Sequence, residues 1–381
     1  MMKKIKVSQP FFSLEEVNAA KEVLLSGWIT NGPKTLELET IVKKKINARN
    51  VIATNSCTSG IMASLIAYGA KKGDEIISPA NTFISSINTF HNLGLKIKLC
   101  DININTFNID EHLLENCITQ KTKFFIPVHN GGSPDHFDKI LKISRNRNII
   151  VIDDAATAFG AKIKNKYIGS YNKTTTVFSL HANKNISSGE GGLVCTNDNF
   201  LASKIRKIIN NGLNTNSWER NTKRLNILNA VLPGYKFNYN DIHASIAIQQ
   251  INKFEAIISY RKKLTERYLK NFNLLINSNF IQTQFLSKEN KSGHYNFQVL
   301  LKINNIRDKL IKYLHTKNIS TAIHYTPCYE HAFYKGKFKT DHLINTKKIF
   351  KNILSLPLHN HLKLEDVDKV CHYVLKFFKK I

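Results

Sequence analysis

The chain has 381 residues, of which 42% are hydrophobic and 22% charged, a composition that is typical of globular proteins and excludes a disordered chain. Because this length exceeds what one ordinary hydrophobic core supports, we expect two domains. The formal net charge of +27 by itself would suit a partner such as nucleic acid or a membrane surface.

The basic residues are not distributed as in a nucleic-acid binder. Nine of the 55 basic residues are Arg, and the Lys residues are spread through the whole chain. Specific phosphate binders favour Arg and cluster their charge. We therefore interpret the Lys residues as solvated surface charge, and we expect neither nucleic-acid binding nor insertion into a membrane.

The six cysteines are scattered and include no CxxC pair, so they predict neither a disulfide framework nor a metal site. The N-terminus is basic but lacks the apolar core of a signal peptide. No apolar run reaches the roughly 18 residues that span a bilayer. We expect a cytoplasmic protein with reduced thiols.

Strand and helix patterns alternate along the first half of the chain. A capping box at Ser13 and Glu16 predicts the start of a helix, and further helices are predicted at 59–68 and 85–93. Strands are predicted at 51–55, 75–79, 96–101, 123–129 and 149–153. Alternating β and α units of this length indicate a mainly parallel sheet that is covered by helices.

The alternation breaks after residue 174. The segments 175–180 and 192–196 are strand-like, and the short stretch between them predicts a hairpin-like excursion that holds Lys184. Apolar residues at helical spacing predict one long helix from Ala244 to about Phe272, and a last helix at 365–380. We predict a large domain at 1–255 and a small one at 256–381, with segment 1–12 packed on the small domain.

Two strand ends carry the residues with the clearest chemistry. The run 150–160, IVIDDAATAFG, is an apolar strand that ends in Asp153 and Asp154, and the run 177–192, VFSLHANKNISSGEGG, places Lys184 before a Gly-rich turn. Pyridoxal phosphate (PLP) needs an amine that forms a Schiff base and an acid that keeps its ring nitrogen protonated. Asp154 at the end of a parallel strand is the candidate acid, although it could also cap a following helix. Asp153 should point to the opposite side.

The segment 55–60, NSCTSG, joins a strand to a helix. Its backbone N–H groups and its Ser and Thr hydroxyls crowd a helix N-terminus, which predicts a phosphate site, although helix capping explains the same residues. Ser179 could donate another hydroxyl to the same phosphate. Phe83 could stack on a pyridine ring, although a Phe is more often a core residue.

Four longer stretches give the chain a family resemblance: GWITNGPK, PVHNGGSP, HANKNISSGEGG and GYKFNYNDIHASIAIQQ. From about Gly27 to the C-terminus the chain resembles the sugar aminotransferases of the DegT/DnrJ/EryC1/StrS family. The resemblance implies a PLP-dependent transferase fold of type I (aspartate-aminotransferase-like). This is an α/β fold with a mainly parallel seven-stranded sheet, helices on both faces and a smaller α/β C-terminal domain. It also implies a homodimer whose active sites are shared between subunits.

Carried over to this sequence, the resemblance implies a role for each cofactor-site residue. Lys184 would be the Schiff-base lysine and Asp154 the partner of the ring nitrogen. The remaining residues would surround the phosphate (Cys57 through its backbone N–H, Thr58 and Ser179), face the ring (Phe83), or reach the phosphate of the neighbouring subunit (Asn238, with Lys236 as a possible companion). Thr157 stands where family members usually carry His or Gln, near the phenolic oxygen of PLP. Tyr329 stands where they often carry His, with His331 two residues on.

Within the family the resemblance is greatest to enzymes that make UDP-4-amino-4-deoxy-L-arabinose. It implies amino transfer from L-glutamate, leaving 2-oxoglutarate, to UDP-L-threo-pentopyranos-4-ulose, for lipid A modification and polymyxin resistance. The candidate substrate residues are Trp28, Thr30, His129, Arg220 and His331. Packing is the alternative for Trp28 and Trp218, and a solvated charge for Arg220. Alternative functions are amino transfer to another UDP- or dTDP-4-keto-6-deoxy sugar for surface polysaccharide, and a non-catalytic, basic nucleic-acid-binding protein on a PLP fold.

Overall fold

The computed structural model describes residues 4–224 and 227–380. Within this part of the chain, seven strands form one sheet in the order β1-β9-β8-β5-β4-β2-β3. Neighbouring strands are parallel except at β9, which is antiparallel to β1 and to β8. The strands up to β9 are β1 (Asn50–Thr54), β2 (Glu75–Pro79), β3 (Lys96–Cys100), β4 (Thr122–Phe125), β5 (Ile150–Asp154), β6 (Lys162–Ile163), β7 (Lys166–Tyr167), β8 (Thr174–Ser179) and β9 (Gly192–Thr196). The short strands β6 and β7 form a separate antiparallel pair.

Both faces of this sheet are buried. Successive side chains of a strand point to opposite faces, and in β5 Val151 belongs to one apolar cluster while Ile152 belongs to another. The first cluster includes side chains of α2, α5, α6 and α9, and the second includes side chains of α3, α4 and α7. The helices of this region are α1 (Leu14–Ser26), α2 (Pro33–Ile46), α3 (Cys57–Ala67), α4 (Ile84–Asn92), α5 (Glu111–Cys117), α6 (Phe137–Asn146), α7 (Asn199–Ile208), α8 (Ser217–Lys223) and α9 (Asp241–Asn252). The predicted three-layer α/β arrangement is confirmed.

The predicted long helix from Ala244 to Phe272 is wrong, because the chain is interrupted at Lys253. The helix α9 ends at Asn252, and α10 (Phe254–Asn271) begins after a single intervening residue. Lys253 leaves the helical conformation, and its Nζ lies 2.5 Å from a carboxylate oxygen of Glu16 in α1. The apolar spacing continues on both sides of the interruption, so a break of one residue leaves no trace in the hydrophobic pattern.

The C-terminal part has an apolar core of its own. It includes Leu264 and Tyr268 of α10 together with Ile5 from the N-terminal segment, whereas Phe254 at the start of α10 packs in the core of the large sheet. Three antiparallel strands in the described C-terminal part form a sheet in the order β10-β11-β12. The elements here are β10 (Ile281–Thr283), β11 (Phe297–Leu301), β12 (Ile353–Leu356), α11 (Asn273–Asn277), α12 (Arg307–Thr316), α13 (Ile344–Asn352) and α14 (Leu364–Phe378). Residues 1–3 of the predicted N-terminal segment and residue 381 lie outside the described residues. No helix in the described part of the chain is long and apolar enough to cross a membrane.

One buried carboxylate links the start of α2 to the start of α9. Asp241, the first residue of α9, accepts hydrogen bonds from the backbone N–H groups of Gly32, Lys34 and Thr35 and from the Thr35 hydroxyl, at 2.7–3.0 Å. The first N–H groups of a helix have no intrahelical acceptor, and Gly32 at the N-cap of α2 has no side chain to supply one. Asp241 therefore caps α2 from another helix.

We predict that Asp241→Ala lowers the free energy of unfolding by about 3 kcal/mol, because several charge-assisted hydrogen bonds are lost and buried donors stay unpaired. Urea denaturation followed by circular dichroism measures this change. The control is Glu37→Gln, which removes the exposed ion pair with Lys34 and should cost about 0.5 kcal/mol or less. Equal losses for the two variants would contradict the capping role of Asp241.

Candidate active site

A cavity of about 400 Å³ opens where β5 and β8 end. We call it the strand-end cavity. The two strands are parallel neighbours with Asp154 in register with Val177, so the segment that follows β8 lies beside the end of β5. The cavity is lined by residues of the large domain (Ser56, Cys57, Thr58, Ile61, Thr82, Phe83, Ser85, Ser86, Val128, Asp154, Ala156, Thr157, Ser179, His181, Asn183, Lys184, Glu190 and Gly191) and by residues of the C-terminal part (Tyr295, Ile323, His324 and Tyr325).

The Asp154 carboxyl group is almost fully buried in the wall of this cavity. Its Oδ2 accepts a hydrogen bond from the Ser86 hydroxyl at 2.8 Å, and its Oδ1 accepts one from the Ala156 N–H at 3.2 Å. Burial raises the pKa of Asp154, and the two hydrogen bonds and the Lys184 charge oppose this rise only in part. A cationic group in the cavity would therefore be stabilised beside this carboxylate.

Lys184 lies in the excursion between β8 and β9. Its N–H donates to the carbonyl of His181 at 2.9 Å, and its Nζ lies 4.7 Å from the centre of the Tyr295 ring. The next residue, Asn185, donates its side-chain amide to the carbonyls of Phe159 at 3.2 Å and Gly293 at 2.8 Å. These bonds fix the backbone around Lys184 and leave its amine at the wall of the cavity.

The N-terminus of α3 forms another wall. Ser56 caps the helix by accepting from the N–H of Ser59 at 3.1 Å, and the N–H groups of Cys57 and Thr58 fall in the first turn, where a helix has no intrahelical acceptor. A Cβ added to Gly192 would lie 2.6 Å from the Cys57 nitrogen, so only glycine permits this close approach of β9 to the helix end. Such an end attracts an anion.

Three further predicted cofactor residues, Ser179, Phe83 and Thr157, also line the strand-end cavity. The Ser179 hydroxyl accepts from the N–H of His181 at 3.2 Å. Phe83 is 59% exposed, so it is not a core residue, and its ring centre lies 6.1 Å from that of Tyr325. The Thr157 hydroxyl donates to the backbone carbonyl of His129. Because the Thr157 hydroxyl proton is donated to this carbonyl, it is not available to a ligand in the cavity.

None of the five predicted substrate residues lines the strand-end cavity. The Trp28 ring packs edge-on against Trp218 at 5.0 Å, which agrees with the packing alternative. The Arg220 guanidinium donates to the Thr215 carbonyl at 3.0 Å and to the Ser217 hydroxyl at 3.2 Å. These contacts stabilise the segment around α8, and they do not bring Arg220 to the cavity.

The remaining predicted residues are held by contacts elsewhere. Thr30 accepts from the Asp241 N–H at 3.1 Å through its carbonyl, and the His331 N–H donates to the Cys328 carbonyl at 3.3 Å. His129 is buried beneath the cavity, with its Nε2 2.9 Å from Asp153. The prediction that His129 contacts substrate is therefore not supported by its position. Asn238 pairs with Thr54 beyond the end of β1, and its buried Oδ1 has no partner within the described residues.

The residues of the cavity wall that the sequence analysis missed include Ser86, Tyr295, His324 and Tyr325. Ser86 lies in the first turn of the helix after PANTF, and its small polar side chain near a strand end was the one available signal. The other three lie more than a hundred residues beyond Lys184 in the sequence. No local pattern marks them, because only the docking of the C-terminal part brings them to the large sheet.

Comparison with known proteins agrees with this geometry. Residues 12–375 match the DegT/DnrJ/EryC1/StrS aminotransferase family. The chain belongs to this family. An uncharacterised protein of Methanocaldococcus jannaschii is 36% identical over 374 residues, which cover 97% of this chain and 96% of that protein.

Solved structures show the same fold. The Helicobacter pylori aminotransferase PseC, involved in the biosynthesis of pseudoaminic acid, has a TM-score of 0.92 at 25% identity and covers 100% of both chains. Spr1654 of Streptococcus pneumoniae, assigned as a sugar aminotransferase and solved in its PLP form, has a TM-score of 0.91 at 27% identity over 99% of both chains. The predicted family, fold and aminotransferase class are confirmed.

The strand-end cavity fits PLP, which is the cofactor of this family. Lys184 would supply the amine, Asp154 a buried carboxylate for the ring nitrogen, and the helix end at Cys57 and Thr58 with Ser179 the donors for a phosphate. Burial raises the pKa of the Cys57 thiol well above its ordinary value, so its backbone N–H is the group suited to an anion. The predicted role of each residue stays a prediction.

We predict that Ser86→Ala weakens PLP binding about fivefold. The variant loses a hydrogen bond to the charged form of Asp154, which raises the pKa of Asp154 further and is worth about 1 kcal/mol. Titration of the cofactor-free protein with PLP, followed by absorbance, measures the dissociation constant. Ser85→Ala, which removes a neighbouring hydroxyl of the same cavity wall, is the control and should bind PLP as the wild type does. An unchanged dissociation constant for Ser86→Ala would refute the role of Ser86.

Proposed function

We propose that this aminotransferase moves the amino group of L-glutamate to a nucleotide-linked 4-keto sugar in two half-reactions. The proposed acceptor is UDP-L-threo-pentopyranos-4-ulose, and the product is UDP-4-amino-4-deoxy-L-arabinose. The observation that carries the proposal is the meeting of Lys184, the buried carboxylate of Asp154 and the open helix end at Cys57 around one cavity.

PLP, when bound, supplies an electron sink for the pair of electrons left at the substrate carbon. Asp154 would hold a negative charge beside the ring nitrogen and so keep it protonated. The helix end at Cys57 and Thr58, with Ser179, would bind the phosphate and orient the ring. Lys184, once free, takes a proton from the amine-bearing carbon of glutamate, and it returns a proton to the former keto carbon of the sugar.

The side chain of Asn238 supports a shared active site. It lies outside the strand-end cavity of its own chain, where its Nδ2 donates to the Tyr239 carbonyl at 3.5 Å and its buried Oδ1 has no partner within the described residues. Of these two atoms only Nδ2 can donate to a phosphate. We propose that this Nδ2 reaches the cofactor phosphate of a second subunit in a homodimer, with Lys236 beside it.

The identity of the sugar rests on the resemblance of GWITNGPK, PVHNGGSP and GYKFNYNDIHASIAIQQ to enzymes that act on the UDP-pentose. We propose that the enzyme works in the cytoplasm and supplies an amino sugar for lipid A, which would add positive charge and oppose polymyxin. PseC acts in the biosynthesis of pseudoaminic acid, and its likeness supports a second candidate, a UDP- or dTDP-4-keto-6-deoxy sugar of a surface polysaccharide.

We predict that L-glutamate removes the visible absorbance band of the lysine-bound cofactor, and that UDP-L-threo-pentopyranos-4-ulose restores it. A panel of UDP- and dTDP-linked 4-keto-6-deoxy sugars is the comparison. Restoration by one of these sugars, and not by the pentose, would retain the aminotransferase mechanism and replace the substrate. A band that glutamate does not change would contradict the proposed amino donor.

We predict that Lys184→Ala abolishes this band and slows amino transfer by about 10³-fold or more, because both the covalent amine and the proton carrier are lost. The control is Lys166→Ala in β7, whose amine lies over the Tyr171 ring and which should keep the band and the rate. Spectra of the two purified variants with PLP decide the outcome. A band that persists in Lys184→Ala would overturn the assignment of Lys184.

A further inference from the structure

The residue before the cofactor-facing carboxylate is a second buried carboxylate. Asp153 has no exposed surface and points away from the strand-end cavity, as the alternation of a strand requires. Its Oδ1 lies 2.9 Å from Nε2 of His129, and its Oδ2 accepts from the Thr176 hydroxyl at 3.1 Å. Two carboxylates therefore stand on adjacent residues of one buried strand end.

The surroundings of His129 favour its protonated form. Its side chain is 2% exposed, its Nδ1 lies 3.2 Å from the carbonyl oxygen of Ser133, and its Nε2 faces Asp153. A neutral imidazole carries a single N–H, so it could donate to one of these two oxygens and would turn a lone pair towards the other. Burial disfavours the charged ring, but Asp153 and the Ser133 carbonyl outweigh this effect and raise the pKa of His129.

The other groups around Asp153 give it no positive charge. Burial raises the pKa values of Cys195 and Tyr171, to about 12 for Tyr171, and the Asp153 charge adds to both shifts. These groups are therefore neutral near pH 7, as is the Thr176 hydroxyl. On the side of His129, the nearest ring is that of Phe137, with centres 4.9 Å apart. Lys184 and Ser86 act on the neighbouring carboxylate, Asp154.

We propose that His129 is a positioning residue whose imidazolium neutralises Asp153, so that Asp154 alone carries the net negative charge that faces the cofactor ring. Like charges on neighbouring carboxylates disfavour the ionisation of both, and the Asp153 charge already contributes to the raised pKa of Asp154. Without the imidazolium, the charge of Asp153 would act on Asp154 uncompensated and would disfavour the ionised form of Asp154. The inference rests on PLP as cofactor and not on the identity of the sugar.

The backbone links this pair to the cavity. The Thr157 hydroxyl donates to the carbonyl of His129, and Thr157 lines the strand-end cavity where relatives usually carry His or Gln. The His129 N–H in turn donates to the carbonyl of Asp154 at 3.3 Å. His129 therefore contacts both acidic residues of the strand end: its Nε2 lies 2.9 Å from Oδ1 of Asp153, and its backbone N–H donates to the carbonyl of Asp154.

The first test reads the protonation of His129 directly in the cofactor-free wild-type protein. We expect its two ring nitrogens to give the ¹⁵N NMR shifts of an imidazolium at pH 7.5, where an ordinary His is neutral. In Asp153→Asn the same ring should become neutral. Because the pKa is raised in the folded protein, the charge should be lost only as the pH rises through this raised value. A neutral wild-type ring at pH 7.5 would overturn the proposal whatever the sugar substrate is.

The second test measures PLP binding to charge-altered variants. We expect His129→Gln to raise the PLP dissociation constant about tenfold, as for one unit of pKa at Asp154, with the loss largest at low pH. Asp153→Asn with His129→Gln removes both charges and should restore most of the affinity. The control removes another His–carboxylate pair, His136 with Glu111, by His136→Gln and Glu111→Gln. This control should leave PLP binding unchanged. A double variant that binds no better than His129→Gln would mean that His129 has a packing role only.

Discussion

The cost of burying negative charge at the end of β5 governs the arrangement of this active site. Asp154 is buried, and burial raises its pKa, yet the chemistry of the family needs its ionised form. Two hydrogen-bond donors, the Ser86 hydroxyl and the Ala156 N–H, contact this carboxylate, and the charge of the Lys184 amine also favours its ionised form. The adjacent Asp153 meets His129 on the other face of the sheet. The end of β5 therefore carries two buried carboxylates, and polar or charged groups contact each of them.

The antiparallel strand β9 is the second constraint. Because β9 returns directly beside β8, the excursion that carries Lys184 stays at the strand ends and does not cross the sheet as a helical connection would. Gly192, its first residue, also lets the strand approach the start of α3 at Cys57. The strand β9 therefore brings Lys184 and the N-terminus of α3 at Cys57 into the same cavity.

The C-terminal part closes the cavity and depends on a buried cation. Arg261 of α10 donates to the carbonyls of His294, Tyr295 and Leu358 at 2.7–3.0 Å, and burial lowers its pKa to about 10. These bonds hold the backbone of Tyr295, whose ring lies beneath the Lys184 amine. Lys184 therefore lies between the large sheet on one side and the C-terminal part on the other.

The sequence by itself determined the alternating α/β architecture, the hairpin around Lys184, and the identity of the lysine, the carboxylate and the helix end that share the cavity. These features follow from local patterns, because apolar runs define strands, and loop residues after strands define what lies at the edge of the sheet. Only the tertiary structure decided the break at Lys253, the placement of Tyr295 and Tyr325 in the cavity wall, and the burial of His129 against Asp153. The physical reason is that these contacts join segments that lie far apart in the chain. The spacing of apolar residues indicates which face of a helix or strand is buried, but it does not indicate which other segment covers that face.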